Sequence, residues 1–273
     1  MTVIHIMAAL AVKVKNQLMS KTVIVTGASS GIGRETALRF AEAGASVVLA
    51  ARRKDALRAV VELRPALRDR LIPVPTDVTK AEDVARLIGT TLSQFSRIDV
   101  LVNNAGAGLR APVTEVAVGD ARRLMELNLF AAYRCIKAVL PHMKRQHAGQ
   151  IVNVGSVLSV VATPRNGLYC ASKFALHALS DALRMELNGS GIDVISVLPG
   201  YTDTPFFDNM VRYDGSPRLS PFRGQHPRKV AEAIIGACVH RKRQVSLTVP
   251  GRLGVILKRF APRLVDFALL HSG

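Results

Sequence analysis

The sequence predicts a single α/β domain: a doubly wound, seven-stranded parallel sheet flanked by helices, followed by a C-terminal helical extension. Two observations carry this. Short β-branched runs alternate with amphipathic stretches along the chain, the pattern of a parallel sheet with right-handed crossovers. A glycine turn, TGASSGIG (26–33), joins the first such run to the first such helix. A length of 273 residues suits one unit of this kind, and 49% hydrophobic residues supply an ample core.

Thr22 to Thr26 is a short apolar strand, and Gly31 to Ala43 a helix with apolar positions at Ile32, Ala37, Phe40 and Ala41. In the turn between them, Gly27 allows the tight bend, Gly31 lets backbone approach a pyrophosphate, and Gly33 permits close helix–strand packing. The start of the helix offers free N–H groups to phosphate, and Ser29, Ser30 and Ile32 complete the cofactor-binding set of this turn. No Lys-Ser/Thr pair follows the glycines, so a triphosphate-binding P-loop is excluded.

Ser46 to Ala51 is the second strand. Dinucleotide folds often carry an acidic residue at its end for the ribose 2′-hydroxyl; here Ala51 stands there, followed by Arg52 and Arg53. A guanidinium forms charge-assisted bonds to a 2′-phosphate, so NADP(H) is preferred over NAD(H). Arg34 is a further candidate for that phosphate, whereas Arg53 also fits simply as the start of the next helix.

Leu71 to Pro75 is the third strand and leads into Asp77-Val78, where Asp77 also fits as a cap for the helix over residues 81–94. Ile98 to Val102 is the central fourth strand, ending in Asn103-Asn104-Ala105-Gly106. Residues 119–146 read as one long helix, with Asn128, a mediocre helix former, at its middle.

Ile151 to Val154 is a buried strand with Ser156 at its carboxyl end. Tyr169 opens a helix running to about Leu187, and Lys173 follows at i+4, on the same face. A free phenol titrates near pH ~10; a neighbouring cation favours phenolate and brings it towards working range. Ser156 can hydrogen-bond the oxygen that the phenol protonates or deprotonates. Together these three side chains make a proton-transfer site for a carbonyl/alcohol pair. Ile192 to Val197 is the sixth strand, closing at Pro199-Gly200, and Val245 to Val249 the seventh.

The motifs TGASSGIG, Asp77-Val78, NNAG (103–106), Asn128, Ser156, YCASK (169–173) and Pro199-Gly200 stand in the order and spacing of one family over roughly residues 20–250. The chain resembles a short-chain dehydrogenase/reductase. The resemblance implies a Rossmann-type domain in which Tyr169 is the general acid–base and Lys173 lowers its pKa and holds the nicotinamide ribose. It further implies that Ser156 orients the substrate oxygen and that Asn128 distorts its helix and positions a water relaying protons to the lysine. Asp77 and Val78 would hold the adenine. Asn104, Ala105 and Gly106 would leave room for the cofactor, with Asn104 also tying neighbouring strands together. Pro199 and Gly200 would stack on nicotinamide, and Thr204, or alternatively Thr202, would contact its carboxamide or the phosphates.

The implied activity is NADP(H)-dependent interconversion of a ketone or aldehyde and an alcohol. Within enzymes, a 3-oxoacyl-thioester reductase is the alternative; outside them, a non-catalytic dinucleotide sensor or a membrane-surface protein. Residues 201–228 match the region that closes over substrate in relatives, and Phe206, Phe207, Met210, Tyr213 and Phe222 make it apolar. An apolar small-molecule substrate follows. Relatives pair the helices over 119–146 and 167–187, so a homodimer or homotetramer is expected.

Residues 1–19 form an N-terminal extension; Met19-Ser20-Lys21 fits the family's usual start, leaving 1–18 as a mis-assigned start or a short appended helix. Residues 20–250 are the dinucleotide-binding domain. The remainder, 251–273, reads as a basic amphipathic helix kinked near Pro262. Over 240–273 seven Lys/Arg face one acidic residue, Asp266. Packing on the protein itself or a neighbouring subunit is favoured there over contact with an anionic membrane surface.

The 37 basic against 20 acidic residues, net +17, favour anionic partners in general. No basic stripe with interleaved aromatics and no nucleic-acid reader motif accompanies the charge, and Trp is absent, so no nucleic acid is expected. No apolar stretch reaches eighteen residues, which argues against a membrane span. Three scattered cysteines, Cys135, Cys170 and Cys238, make neither a disulfide framework nor a metal site, and a cytoplasmic setting is expected.

Overall fold

The computed structural model describes residues 17–213 and 224–247, with Ala261, Arg263 and Phe267 beyond them. Most of both predicted extensions, and Phe222 of the apolar region, lie outside the described residues. The strands of the main sheet are β1 (Thr22–Thr26), β2 (Ser46–Ala51), β3 (Leu71–Pro75), β4 (Val100–Asn103), β6 (Gly149–Val154), β7 (Ile192–Leu198) and β9 (Gln244–Ser246). Two short strands, β5 (Leu109–Arg110) and β8 (Val211–Arg212), make a separate ribbon. The helices are α1 (Gly31–Glu42), α2 (Lys54–Glu62), α3 (Ala81–Phe95), α4 (Val118–Met125), α5 (Ala131–Gln146), α6 (Gly167–Glu186) and α7 (Pro227–Val239).

The sheet runs β3-β2-β1-β4-β6-β7-β9 and every pairing in it is parallel. The chain winds outward from β1 to β3, then crosses over β1 to β4 and winds the other way. That reversal opens a crevice at the carboxyl ends of β1 and β4, the binding position of doubly wound sheets. Because side chains alternate across a strand, Val23 and Val25 enter the core shared with α1 and α7, while Ile24 enters the core shared with α3, α5 and α6. Both faces are therefore covered, which explains the near-continuous apolar runs.

The structure refines the expected element boundaries at three points. The predicted helix over 119–146 is not uniformly α: a π-helical turn, Glu126–Phe130, separates α4 from α5 and centres on Asn128. The last strand lies at Gln244–Ser246 rather than beginning at Val245, and residues 248 and 249 are outside the described set. Core packing starts before residue 20, since Leu18 is buried in the α1-side core. The α7 helix, capped by His226 with Pro227 at its first turn, begins at the end of the variable region and was not read from the sequence.

Candidate active site

The glycine turn sits at the end of β1. Gly27 and Gly31 hold φ of +65° and +53°, a left-handed backbone that favours glycine. A Cβ on Gly33 would stand 2.3 Å from the Gly27 carbonyl oxygen, so only glycine lets α1 pack this closely. Ser30 is the N-cap of α1 yet makes no side-chain capping bond, and the first turn carries no acidic residue. This helix end keeps donors and a positive dipole for an anion, as a pyrophosphate requires. A Cβ on Gly31 would lie 3.0 Å from the Thr204 side chain, so Thr204 closes over this turn. Thr202 is instead committed to the loop's own structure: it is buried, donates to the Gly200 carbonyl at 3.0 Å and accepts from Gln225 at 3.2 Å.

Asn104 fastens the end of β4 to β1. Its amide donates to the Thr26 carbonyl at 2.9 Å, while the Thr26 hydroxyl accepts from the Asn104 and Ala105 backbone at 2.9 and 3.1 Å. Thr26 was not singled out from sequence, although its place at the strand end is the available signal. At the end of β2, Arg52 and Arg53 are exposed, and Arg53 serves as N-cap of α2. Arg52 lies close enough to Asp77 to help hold its carboxyl below the usual range, against the upward push of burial; hydrogen bonds from Thr79 contribute more. Asp77 accepts from the Thr79 hydroxyl and backbone at 2.7 and 3.0 Å, and the N-cap position of α3 is held by Lys80, without a side-chain capping bond.

Across the crevice, Tyr169 and Lys173 project from α6, 8% and 4% exposed. The Lys173 ammonium donates to the Val154 carbonyl at 3.1 Å and lies 5.9 Å from the centroid of the Tyr169 ring. Ser156 caps a 3-10 turn, Val157–Ser159, in a reciprocal box with Ser159, which fixes its hydroxyl at the end of β6. Burial pushes the Tyr169 phenol up to about 12, and the hydrogen bond it shares with Ser156 pulls the other way. Burial alone draws Lys173 down to about 8. The expected depression of the phenol by the ammonium does not appear in this state: burial of the phenol dominates, and the pull downward comes from Ser156.

Asn128 is buried in the π turn. Its side chain pairs with both backbone groups of Ala107, at 2.8 and 2.9 Å, and donates to Ser172 at 3.0 Å. Ser172 in turn donates to the Tyr169 carbonyl at 2.7 Å, so Asn128 braces the helix bearing Tyr169. Ser172 went unnoticed because its partner is 44 residues away. A Cβ on Gly106 would stand 3.0 Å from Asn128 Oδ1 and 3.6 Å from Lys173 Nζ, placing the NNAG segment against both.

The mouth of the crevice is apolar. Phe206 packs on Tyr169 with ring centroids 5.9 Å apart and meets Phe207 edge-on at 5.2 Å. Leu109, Ala111 and Leu124 share the buried cluster of Tyr169. Val157 donates to the Pro199 carbonyl at 2.9 Å, joining Pro199-Gly200 to the Ser156 turn. Among the described residues no group of His, Cys, Asp and Glu could hold a metal. No helix among them is long and apolar enough to cross a membrane.

This fold and side-chain set define an oxidoreductase class, and sequence comparison identifies it. Residues 21–214 match the short chain dehydrogenase family. The chain is 32% identical over 265 residues to a Drosophila melanogaster dehydrogenase/reductase SDR family protein 7-like, covering 93% of this chain and 81% of that one. A Burkholderia phymatum short chain dehydrogenase/reductase solved with NAD superposes with a TM-score of 0.80 at 28% identity, covering 90% of this chain and 95% of its own. An alcohol dehydrogenase from the archaeon Thermococcus sibiricus, solved with 5-hydroxy-NADP, gives 0.73 at 29% identity, covering 83% and 95%. The chain belongs to the short-chain dehydrogenase/reductase family.

Proposed function

We propose that the protein is an NADP(H)-dependent oxidoreductase that interconverts an apolar ketone or aldehyde with its alcohol. The observation that carries this reading is the convergence of Tyr169, Ser156 and Lys173 beside the uncapped start of α1. The bound nicotinamide supplies or accepts the hydride. Tyr169 gives its phenolic proton to the nascent alkoxide in reduction and takes it back in oxidation. Ser156 holds the substrate oxygen against that phenol. Lys173 keeps a positive charge behind the ring and reaches the nicotinamide ribose, and Asn128 holds the helix and the proton path in register. The start of α1 with Gly27, Gly31 and Gly33 takes the pyrophosphate, Val78 N–H and Asp77 the adenine, and Thr204 closes over the phosphates.

Preference for NADP(H) is supported by Ala51 and Arg52 at the end of β2, since Arg52 can pair with a 2′-phosphate that a carboxylate would repel. The solved relatives include one with NAD and one with 5-hydroxy-NADP, so the local charge rather than the family decides. An apolar substrate is supported by Phe206 and the leucines around Tyr169. Homo-oligomerisation is supported by Phe130, Tyr133, Phe174 and Met185, which remain exposed on the π turn, α5 and α6. The catalytic unit spans residues 20–250, with Leu18 adding to its core, and acts in the cytoplasm.

The test is an NADPH-oxidation screen across ketones, aldehydes, steroids and acyl thioesters with NADH alongside. Turnover of apolar ketones or aldehydes with NADPH favoured supports the reading. No turnover of any carbonyl with either cofactor contradicts it.

A further inference from the structure

The turn joining β3 to α3 is almost fully hydrogen-bonded. Thr76 N–H donates to the Ala51 carbonyl at 2.9 Å, Asp77 N–H to Asp83 at 2.7 Å, Thr79 N–H to Asp77 at 3.0 Å and Lys80 N–H to the Asp77 carbonyl at 2.9 Å. Among the described residues Val78 N–H alone in this run has no protein partner, although Val78 is 6% exposed. An N–H with no protein partner is left to donate to water or to a bound ligand.

The next peptide along, Val78–Thr79, is held from the opposite side, which anchors the residue that bears this N–H. Arg134, in the first turn of α5, donates through Nη1 to the Val78 carbonyl at 3.0 Å and through Nη2 to Glu126 at 2.8 Å. Glu126 opens the π turn that carries Asn128. One planar guanidinium therefore ties the Val78 carbonyl to the helix that braces Tyr169. The fork geometry fixes both partners at once, which a lysine's single flexible ammonium cannot do.

We propose that Arg134 is a positioning residue for the dinucleotide: it clamps the Val78 carbonyl against Glu126 so that the neighbouring N–H stays aimed at the adenine. The proposal rests on the dinucleotide reading above. It places cofactor affinity partly under the control of a residue on α5 that belongs to none of the binding motifs.

The test uses the full chain, with Arg134→Met, Arg134→Lys and Glu126→Ala. Dissociation constants for NADPH and NADH come from fluorescence titration, and kcat at saturating cofactor from the best carbonyl substrate. Loss of a charge-assisted contact predicts that Arg134→Met weakens dinucleotide binding about fivefold or more, with kcat within about twofold. Arg134→Lys is expected to recover only part of the loss, and Glu126→Ala to fall between the two extremes. An Arg134→Met protein that binds like the wild type overturns the proposal. So does a loss of kcat and melting temperature in step with affinity, which marks a merely structural role. Should Arg134→Met fail to fold, the Glu126→Ala titration decides alone: wild-type affinity there overturns the clamp. Failure of the wild type to bind either dinucleotide removes the dinucleotide reading itself and the proposal with it.

Discussion

The Lys173 ammonium is bonded to the Val154 carbonyl at 3.1 Å while its nitrogen stands 5.9 Å from the centre of the Tyr169 ring. It reads the strand end and the phenol simultaneously, so the strand that presents Ser156 and the helix that presents Tyr169 are locked together by one charge. That charge is buried, and the burial has measurable consequences.

Burial lowers Lys173 to about 8 in the folded protein, below its usual value. Between these values the unfolded chain binds more protons than the folded one, so stability rises with pH across that window. Relative to Lys173→Met, the wild type should gain up to ~3 kcal/mol between pH 7 and 10.5. Denaturant titrations of both proteins across this range check it. A difference that stays flat, or moves against the wild type, shows that the ammonium is not desolvated.

Tyr169 and Lys173 together set the pH profile of reduction. Tyr169, raised to about 12, keeps its proton throughout the neutral range, so the acid for carbonyl reduction is always available there. Lys173 gives up its charge near pH 8, so kcat/KM for reduction should be level below that point and fall above it. A profile that climbs from pH 6 to 9 contradicts the assignment.

Arg52 is exposed at the end of β2 with no acidic residue beside it in sequence. Arg52→Ala should raise KM for NADPH about tenfold and leave KM for NADH nearly unchanged. Equal effects on both cofactors would assign the 2′-phosphate to another group, with Arg34 the first to examine.

Gly33 has no room for a methyl group, since a Cβ would sit 2.3 Å from the Gly27 carbonyl oxygen. Gly33→Ala should displace α1 from the turn, costing roughly 1–3 kcal/mol of stability and most of the dinucleotide affinity. Calorimetric unfolding and cofactor titration read the two effects separately, and wild-type values in both would show that the turn is looser than described.

Phe206 covers the Tyr169 ring and has apolar neighbours on both sides. Phe206→Ala should shift kcat/KM towards bulkier ketones by about tenfold relative to small ones, as an enlarged apolar pocket does. An unchanged ratio across a graded ketone series would place the substrate elsewhere.

Much of this was legible in the sequence because the informative signals are local. Strand β1, the glycine turn and α1 follow from apolar alternation and from glycines whose backbone angles other residues resist. Tyr169 and Lys173 share a face because a helix turns 3.6 residues at a time. What escaped depends on contacts across the fold. The resemblance implies a distorted helix at Asn128, but the contacts that support the π turn there come from Ala107, in another loop, and Ser172, on another helix. The rise in the phenol's pKa could not be read from an i+4 lysine, because it comes from how completely the surrounding loops exclude water. The resemblance puts Thr204 first and leaves Thr202 as the alternative; packing shows that Thr204 meets Gly31 while Thr202 serves the loop. The basic tail over 251–273 lies almost wholly outside the described residues, and its reading remains that of the sequence.

The central claim is that the Tyr169 hydroxyl is the group that trades a proton with substrate. Tyr169→Phe removes that one oxygen and leaves the ring packed under Phe206. Single-turnover assay of the variant beside a fluorescence titration with NADPH is the most direct measurement. The account predicts near wild-type NADPH affinity with turnover reduced at least about a hundredfold. Turnover retained within a few-fold would contradict it.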